Sequence, residues 1–310
     1  MTYEMSPKGS QSVVNGSHIY IVIPVHNRWE LTRKCLLSLR EQSDRRVTTV
    51  IVDDGSTDDT SRAIELEFPN VVVLRGDGSL WWTGATNLGI EWVLQRCDAT
   101  DYVLTLNNDT TMKPDYVETL VGIAETEYPA LVGSVAVDSR DRETIVDGGP
   151  RVNWWTASTW SDNVGRSLST SLREGRAQSN PDMLAGRGTL IPVACFREIG
   201  LYDAKRLPHY AADYEFSVRA VRAGHVLVMS YQAPVFSVVD ASGVSTKRGR
   251  LPWKSFFVMF ASRRSPACLL YRWRFARLAA PRRLMPVFLV ADTARVVGGA
   301  LRDQLLSARS

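Results

Sequence analysis

Three apolar runs in the first third of this 310-residue chain stop on amides and carboxylates. HIYIVIPVHN ends in Pro24-Val25-His26-Asn27, VTTVIVDDGS in Asp53-Asp54-Gly55-Ser56, and DYVLTLNNDT in Asn107-Asn108-Asp109. Two chemistries suit such endings. Asn and Asp bond to nearby backbone and close turns. Their oxygens also hold hard divalent cations, Mg2+ or Mn2+, and through them phosphates. For LTLNNDT alone the turn is the simpler reading. Turn chemistry does not explain why three such endings collect in one chain.

Other chemistries are excluded by what the sequence lacks. No GxGxxG or GxxxxGK[ST] follows a strand-like run, so the dinucleotide and P-loop readings fail. Without a glycine phosphate cradle, a diphosphate needs another neutralising group, and a divalent metal on a strand-end carboxylate supplies one. There is no GxSxG elbow and no Cys–His pair to act as a protein nucleophile. Cys35, Cys97, Cys195 and Cys268 are widely spaced, which argues against a zinc site or a disulfide framework and for a reducing compartment.

The elements that must position these residues follow from periodicity. HIYIVIPVHN is β-branched without polar alternation, as in a strand buried on both faces of a parallel sheet. ELTRKCLLSLREQ puts Leu31, Cys35, Leu36 and Leu39 on one helical face. VTTVIVDDGS, VVVLRG and DYVLTL read as further strands, with one helix opening after Ser56 and running to about Glu67 and another in TNLGIEWVLQRC. Ser56 with Asp59 predicts a capping box at the first of these helices. Strand and helix alternate at short spacing, so a doubly wound α/β domain is expected, with ligands beyond the carboxyl ends of the strands. From about 140 to 190 the pattern gives way to Gly, Ser and Trp, read as a hairpin and loops rather than a separate domain. HYAADYEFSVRAVRAGH then predicts a helix ending at Gly224, with Asp213 and Glu215 at its dipole-favoured start.

Charge is divided unevenly. Residues 247–310 carry 14 Lys or Arg against two acids, whereas residues 1–246 carry 23 against 31. A basic segment mixing Phe, Trp and Leu with arginines suits a helix at an anionic membrane surface. A helix pair packed on the body, or a homodimer contact, accounts for the same residues. No nucleic-acid motif accompanies the charge, so no nucleic-acid partner is expected. Residues 1–17 are polar, lack a signal peptide's apolar core and read as a loose tail. No apolar run reaches membrane-spanning length.

Taken in order over residues 18–246, IVIPVHNRWELTRKCLLSL, VIVDDGSTDDT, LTLNNDT and HYAADYEFSVRA resemble the inverting family 2 glycosyltransferases of GT-A fold. GDGSLWWTGATNLGI, LNNDT and GRGTLIP look most like bacterial rhamnosyltransferases of cell-surface polysaccharide synthesis. The resemblance implies a Rossmann-like, doubly wound, mostly parallel α/β domain over 18–246, followed by a basic, amphipathic helical extension over 247–310. Its nucleotide-binding half would span about 18–110 and its acceptor-binding half about 111–246.

The resemblance also implies roles. Pro24, Val25, His26, Asn27, Asp53 and Asp54 would hold the nucleoside of a nucleoside-diphosphate sugar, with Asn87 and Asn108 also on the nucleotide. Asn107-Asn108-Asp109 stands in place of a D-x-D motif, its first Asp replaced by Asn. Asp109 would then hold Mg2+ or Mn2+. Asp240 in FSVVDASGVST, where many relatives carry His, is the second candidate ligand. Asp213 would be the general base, with Ala212 replacing the acid usual before it. Asn107, Trp82, Arg187 and Glu215 would contact donor or acceptor. On residue type alone Trp82 reads first as core and Arg187 first as a surface residue of a mobile loop, while Asn87 reads equally as a helix cap.

The implied reaction is inverting transfer of a sugar, L-rhamnose from dTDP-L-rhamnose by the nearer resemblance, to a lipid-linked or polysaccharide hydroxyl. It implies a cytoplasmic enzyme, peripheral on the inner face of the membrane. Two other functions fit part of the pattern. A sugar-nucleotide pyrophosphorylase shares the fold class, though VHNRWE lacks its glycine-rich basic loop. A degenerate transferase serving as a membrane-bound scaffold would explain Asn107 and Asp240, but not the retention of Asp54, Asp109 and Asp213.

Overall fold

The computed structural model describes residues 16–238 and 252–306. The first β-branched run forms β1 (Ile19–Val25), and the chain then alternates through α1 (Trp29–Arg40), β2 (Val47–Asp53), α2 (Thr60–Glu67), β3 (Val72–Arg75), α3 (Trp81–Leu94) and β4 (Tyr102–Thr105). β1 pairs in parallel with β2 and β4, and β2 with β3. Ile19, Ile21 and Ile23 pack on one face with Cys35, Leu36 and Leu39 of α1. Val22 turns to the other face and meets Ile90 and Val93 of α3. Burial on both faces explains why β1 carries no polar alternation. Gly89 lets α3 approach closely, since a Cβ there would lie 2.4 Å from Val22.

The second half extends the same sheet. It runs through β5 (Thr110–Thr111), α4 (Tyr116–Thr126), β6 (Ala130–Asp138), β7 (Ile145–Asp147), β8 (Pro150–Asn153), β9 (Ser158–Ser161), α5 (Leu168–Arg173), β10 (Gln178–Ser179), β11 (Thr189–Pro192), α6 (Val193–Ile199), α7 (Ala212–Arg222) and β12 (Val226–Ser237). The strand order is β10-β12-β6-β11-β4-β1-β2-β3, with β5 on β12 and β7 on β6. β12 is parallel to β6, and β11 runs antiparallel between β4 and β6. The Gly- and Trp-rich region supplies the separate β8–β9 hairpin, while its β7 and β10 join the main sheet.

The capping box does not form. Asp59 stands before α2 with φ of 58° and no side-chain cap. The Ser56 hydroxyl instead accepts the Asn27 N–H at 2.6 Å, because the tight turn after β1 brings that amide to it.

The chain continues as α8 (Trp253–Val258), α9 (Leu269–Ala279) and α10 (Met285–Leu306). α9 buries Tyr271, Phe275, Ala276 and Ala279, and Trp154 of the hairpin turn rests on Phe275 and Phe288. Arg222 at the end of α7 donates to the Leu278 and Ala279 carbonyls, satisfying the last turn of α9. An Arg272–Asp292 ion pair ties α9 to α10. Helix packing against the body is therefore one role of this basic region. No helix among the described residues is long and apolar enough to cross a membrane.

Candidate active site

Parallel pairing brings the ends of β1, β2 and β4 to one rim, as the sequence predicts. The antiparallel β11 adds a segment to that rim. Thr189 pairs with Thr105, so the preceding Gly186-Arg187-Gly188 lies beside the end of β4. α7 starts against this turn, where Asp213 Oδ2 accepts the Gly186 N–H at 2.8 Å. Asn27, Arg28, Asp59, Trp81 and Ala211 take φ between 58° and 69° at element ends around it. Non-glycine residues in this region are strained and concentrate at functional sites.

On the β1–β2 side the polar groups are engaged by the protein itself. Asp53 accepts from the Ser56 N–H at 2.9 Å and from the Ser61 hydroxyl. Asp54 is 6% exposed and accepts the N–H groups of Gly78 at 2.8 Å and Trp81 at 2.9 Å. Asn27 Oδ1 accepts the Thr57 N–H at 2.7 Å. His26 Nδ1 lies 2.6 Å from the Asp54 carbonyl, which can only accept, so that nitrogen carries the proton. Pro24 pairs with Val52 within the sheet, and Val25 is buried core. Between the loops opens a polar cleft of about 360 Å³, lined by Asp53, Ser56, Thr57 and Arg75 among others. It is of a size for a small polar ligand. Each carboxylate keeps lone pairs beyond its protein bonds.

The β4 side differs. Asp109 is 8% exposed, and its Oδ1 is buried with no partner. Arg28 Nη1 lies 4.0 Å from its other oxygen. Burial raises the Asp109 carboxyl above the usual range, with Arg28 and Arg187 opposing the shift. Asp213 is likewise raised by burial, against the Gly186 and Tyr214 N–H groups and the charge of Arg187. Arg187 donates from Nη2 to Asp147 Oδ2 at 2.9 Å while its Nε is buried and unpartnered. Burial works against its charge, but Asp147, Tyr214 and Asp109 outweigh that and raise its pKa. Arg187 is thus no surface residue: it stands in electrostatic reach of both Asp109 and Asp213.

Several expected contacts are turned elsewhere. Asn107 Oδ1 accepts the Trp82 indole N–H at 3.0 Å, so it is not free to ligate a metal, although its amide N–H groups remain. Trp82 packs under Gly186, where a Cβ would lie 2.3 Å from the indole, and against Tyr202; the core reading of this residue holds. Asn108 Nδ2 donates to Thr32 Oγ1 at 2.9 Å and ties the strand end to α1 rather than to a nucleotide. Asn87 lies inside α3 and grips the Tyr202 backbone with both amide atoms, at 2.8 and 3.1 Å, so it neither caps the helix nor joins the rim cluster. Glu215 is 5% exposed and bridges Arg219, which also donates to the Ile199 and Leu201 carbonyls. That makes it a brace for the loop before α7. Asp240 lies outside the described residues.

Sequence reading missed Arg28, Asp147 and Tyr214. Arg28 follows the motif residue Asn27 directly. Asp147 precedes Gly148-Gly149 in the stretch read as loops, and an acid held before two glycines was the available signal.

The residues present fit a divalent cation. A buried carboxylate oxygen without a partner is costly, and a hard cation would satisfy it. Among the described residues no three His, Cys, Asp or Glu side chains group as a cage. Mg2+ commonly binds through one or two carboxylates plus substrate phosphates and needs no cage.

Known proteins resemble the chain in sequence and in fold. Residues 20–166 match the glycosyl transferase family 2 profile, and residues 102–257 match that of glycosyl transferase family group 2. The N-acetylglucosaminyl-diphospho-decaprenol L-rhamnosyltransferase of Mycobacterium tuberculosis is 26% identical over 259 residues, 74% of this chain and 80% of that protein. The Pyrobaculum calidifontis mannosyltransferase PcManGT, solved with GDP-Man and Mn2+, superposes with a TM-score of 0.58 at 15% identity, over 96% of this chain and 76% of that one. GalNAc-T7, solved with UDP, GalNAc and Mn2+, gives 0.57 at 17% identity over 94% of this chain, which spans 57% of that structure. The shared architecture is the GT-A fold.

Proposed function

Because this chain belongs to the family 2 glycosyltransferases, we propose that it moves a sugar from a nucleoside-diphosphate donor to an acceptor hydroxyl with inversion at the anomeric carbon. One observation carries the reading. Asp109 is buried with an unpartnered oxygen on the same rim as Asp213 and a polar cleft. The nucleoside occupies the cleft beside Asp53, and Asp54 holds the loop that forms its wall. Asp109 would hold Mg2+ or Mn2+, with Asp240 as the second candidate ligand. That ion, when bound, neutralises the leaving diphosphate. Asn107 donates its amide to a sugar hydroxyl.

Asp213 takes the proton from the acceptor hydroxyl as the oxygen attacks the face opposite the diphosphate. Gly186 and Tyr214 N–H groups fix the orientation of its carboxylate. Burial raises its pKa and so makes the carboxylate a stronger base. One displacement inverts the centre, so no protein nucleophile is required. The pyrophosphorylase reading loses its ground to the family membership; the retention of Asp54, Asp109 and Asp213 speaks against the scaffold reading.

The mycobacterial relative's name supports two finer assignments, L-rhamnose as the transferred sugar and a lipid-linked diphosphate as the acceptor; dTDP as the donor's nucleotide rests on the motif resemblance alone. A lipid-linked acceptor agrees with the surface of the basic extension, where Phe257, Leu270, Trp273 and Val290 are exposed beside arginines. This face rests on an anionic membrane, cytoplasmic and peripheral.

A thermal-shift panel of UDP-, dTDP- and GDP-sugars, each with and without Mg2+ or Mn2+, tests the reading on wild type and Asp109→Ala. Ligands that bind the native state raise Tm by mass action. The expected result is a metal-dependent shift with dTDP-L-rhamnose that Asp109→Ala abolishes. No shift with any donor on folded protein would overturn it.

A further inference from the structure

Arg187 is a buried cation that its protein partners do not satisfy. A guanidinium carries five N–H donors in a rigid fork. Among the described residues Arg187 has one hydrogen-bond partner, the Oδ2 of Asp147 at 2.9 Å. Its Nε is buried and unpartnered, yet the side chain as a whole stays 23% exposed. Asp147 therefore holds the fork at Nη2, the Nε is enclosed without a partner, and part of the side chain stays open beside Gly186, whose N–H meets Asp213. A donor left without a partner calls for an acceptor.

Asp147 shows the opposite condition. It is 6% exposed, and its Oδ1 accepts from the Ser161 hydroxyl and the Gly149 N–H. The following turn admits only glycine. A Cβ on Gly148 would lie 2.2 Å from the Asp162 carbonyl, and Gly149 has φ of 125°. Asp147 is thus a fixed post and Arg187 the arm it holds. Tyr214, one residue beyond Asp213, shares this space: burial raises its hydroxyl, and so do the charges of Asp147 and Asp213.

The setting selects the ligand's charge. Arg187 follows Gly186, whose N–H donates to Asp213 at 2.8 Å, and its charge opposes the raised pKa of both Asp213 and Asp109. A planar fork with free parallel donors matches tetrahedral phosphate oxygens, and such bonds are among the strongest in proteins.

We propose that Arg187, held in place by Asp147, is an anchor for a substrate phosphate, of either the donor diphosphate or a phosphorylated acceptor. The proposal rests on reading the cleft as a sugar-nucleotide site. Arg187 contacts the anion; Asp147 is a positioning residue.

The test uses the full chain with Arg187→Gln, Arg187→Lys, Asp147→Asn and the double variant Asp147→Asn/Arg187→Gln. The double variant removes both members of the Arg187–Asp147 pair, so neither is left buried without the other, which guards against misfolding. Two readouts are taken: the thermal shift given by inorganic pyrophosphate with Mg2+, and the KM of donor and acceptor separately. Arg187→Gln should weaken the anion by about 10- to 100-fold, with Arg187→Lys between it and wild type. A rise confined to donor KM assigns the donor diphosphate; a rise confined to acceptor KM assigns the acceptor phosphate. Unchanged pyrophosphate shift and unchanged KM values in folded variants would reduce the pair to a structural one and sink the proposal. If wild type transfers no sugar but its pyrophosphate shift still depends on Arg187, the anchor stands and the transferase reading falls.

Discussion

The two sides of the rim treat their polar residues in opposite ways. Around Asp53 and Asp54 nearly every polar atom is bound to neighbouring backbone or hydroxyls. Around Asp109, Arg187 and Asp213 burial raises both carboxyls, and Asp109 Oδ1 and Arg187 Nε stand without partners, while Asp213 is oriented by two backbone N–H groups. The first side stores its acids in the fold; the second leaves them to a ligand. Residues of similar chemistry therefore divide into those whose loss should unfold the rim and those whose loss should silence it.

The largest expected effect is on the second side. Asp213→Asn should lower kcat by about 10²- to 10⁴-fold, the usual contribution of a general base. The amide oxygen still accepts the Gly186 N–H, and a buried charge disappears, so Tm should hold or rise. Turnover and thermal unfolding of the same preparation decide it. Retained turnover would move the base to another residue. Asp109→Asn comes next. It should cost about 100-fold or more in kcat/KM, because metal stabilisation of a leaving group is worth several kcal/mol. Titration of Mg2+ against donor turnover checks this, and an unaltered metal requirement would remove Asp109 from the ion.

Asp54→Ala should act on the first side and through stability. It leaves the N–H groups of Gly78 and Trp81 without their acceptor. At about 1–3 kcal/mol for each buried donor left unmatched, a loss of several kcal/mol is expected. Chemical denaturation measures it. A variant of wild-type stability with normal donor KM would break the comparison, since Asp54 would then be doing neither job.

The same division explains what the sequence made legible. The continuous apolar runs and their punctuation located β1, β2, β4 and the rim, because strand burial and turn chemistry are local. VDDGS was the loudest motif, but its acids are the ones occupied by the fold. LNNDT departed from the D-x-D form, yet Asp109 is the carboxylate left open. Side-chain direction made this difference, and it depends on neighbours no local pattern names. Asn87, Asn108 and Glu215 show the same dependence: the first two bond Tyr202 and Thr32, and Glu215 holds Arg219, which reaches the Ile199 and Leu201 carbonyls of other elements. Arg187 and Asp147 meet only because β11 inserts antiparallel between β4 and β6. A reader of GRGTLIP sees a loop arginine.

The smallest effect is a pH dependence that should separate the two sides in the ligand-free protein. Asp109 and Asp213 bind their protons more tightly folded than unfolded, burial being the main cause in each. Between the unfolded value of about 3.9 and the raised folded values, the native state then carries more protons than the unfolded chain. Its stability should therefore increase as pH falls through that window, an inversion of ordinary acid lability. Asp138 and Asp141 are instead lowered by hydrogen bonds, the latter to about 2, and they withdraw stability only as pH falls below the usual carboxylate range. The windows hardly overlap, so the difference in Tm between wild type and Asp109→Asn/Asp213→Asn isolates the first. The variant should lead at neutral pH and lose its lead as pH falls toward 4. A constant difference across that range would mean that neither carboxyl is raised, and the second side would then be as well satisfied as the first.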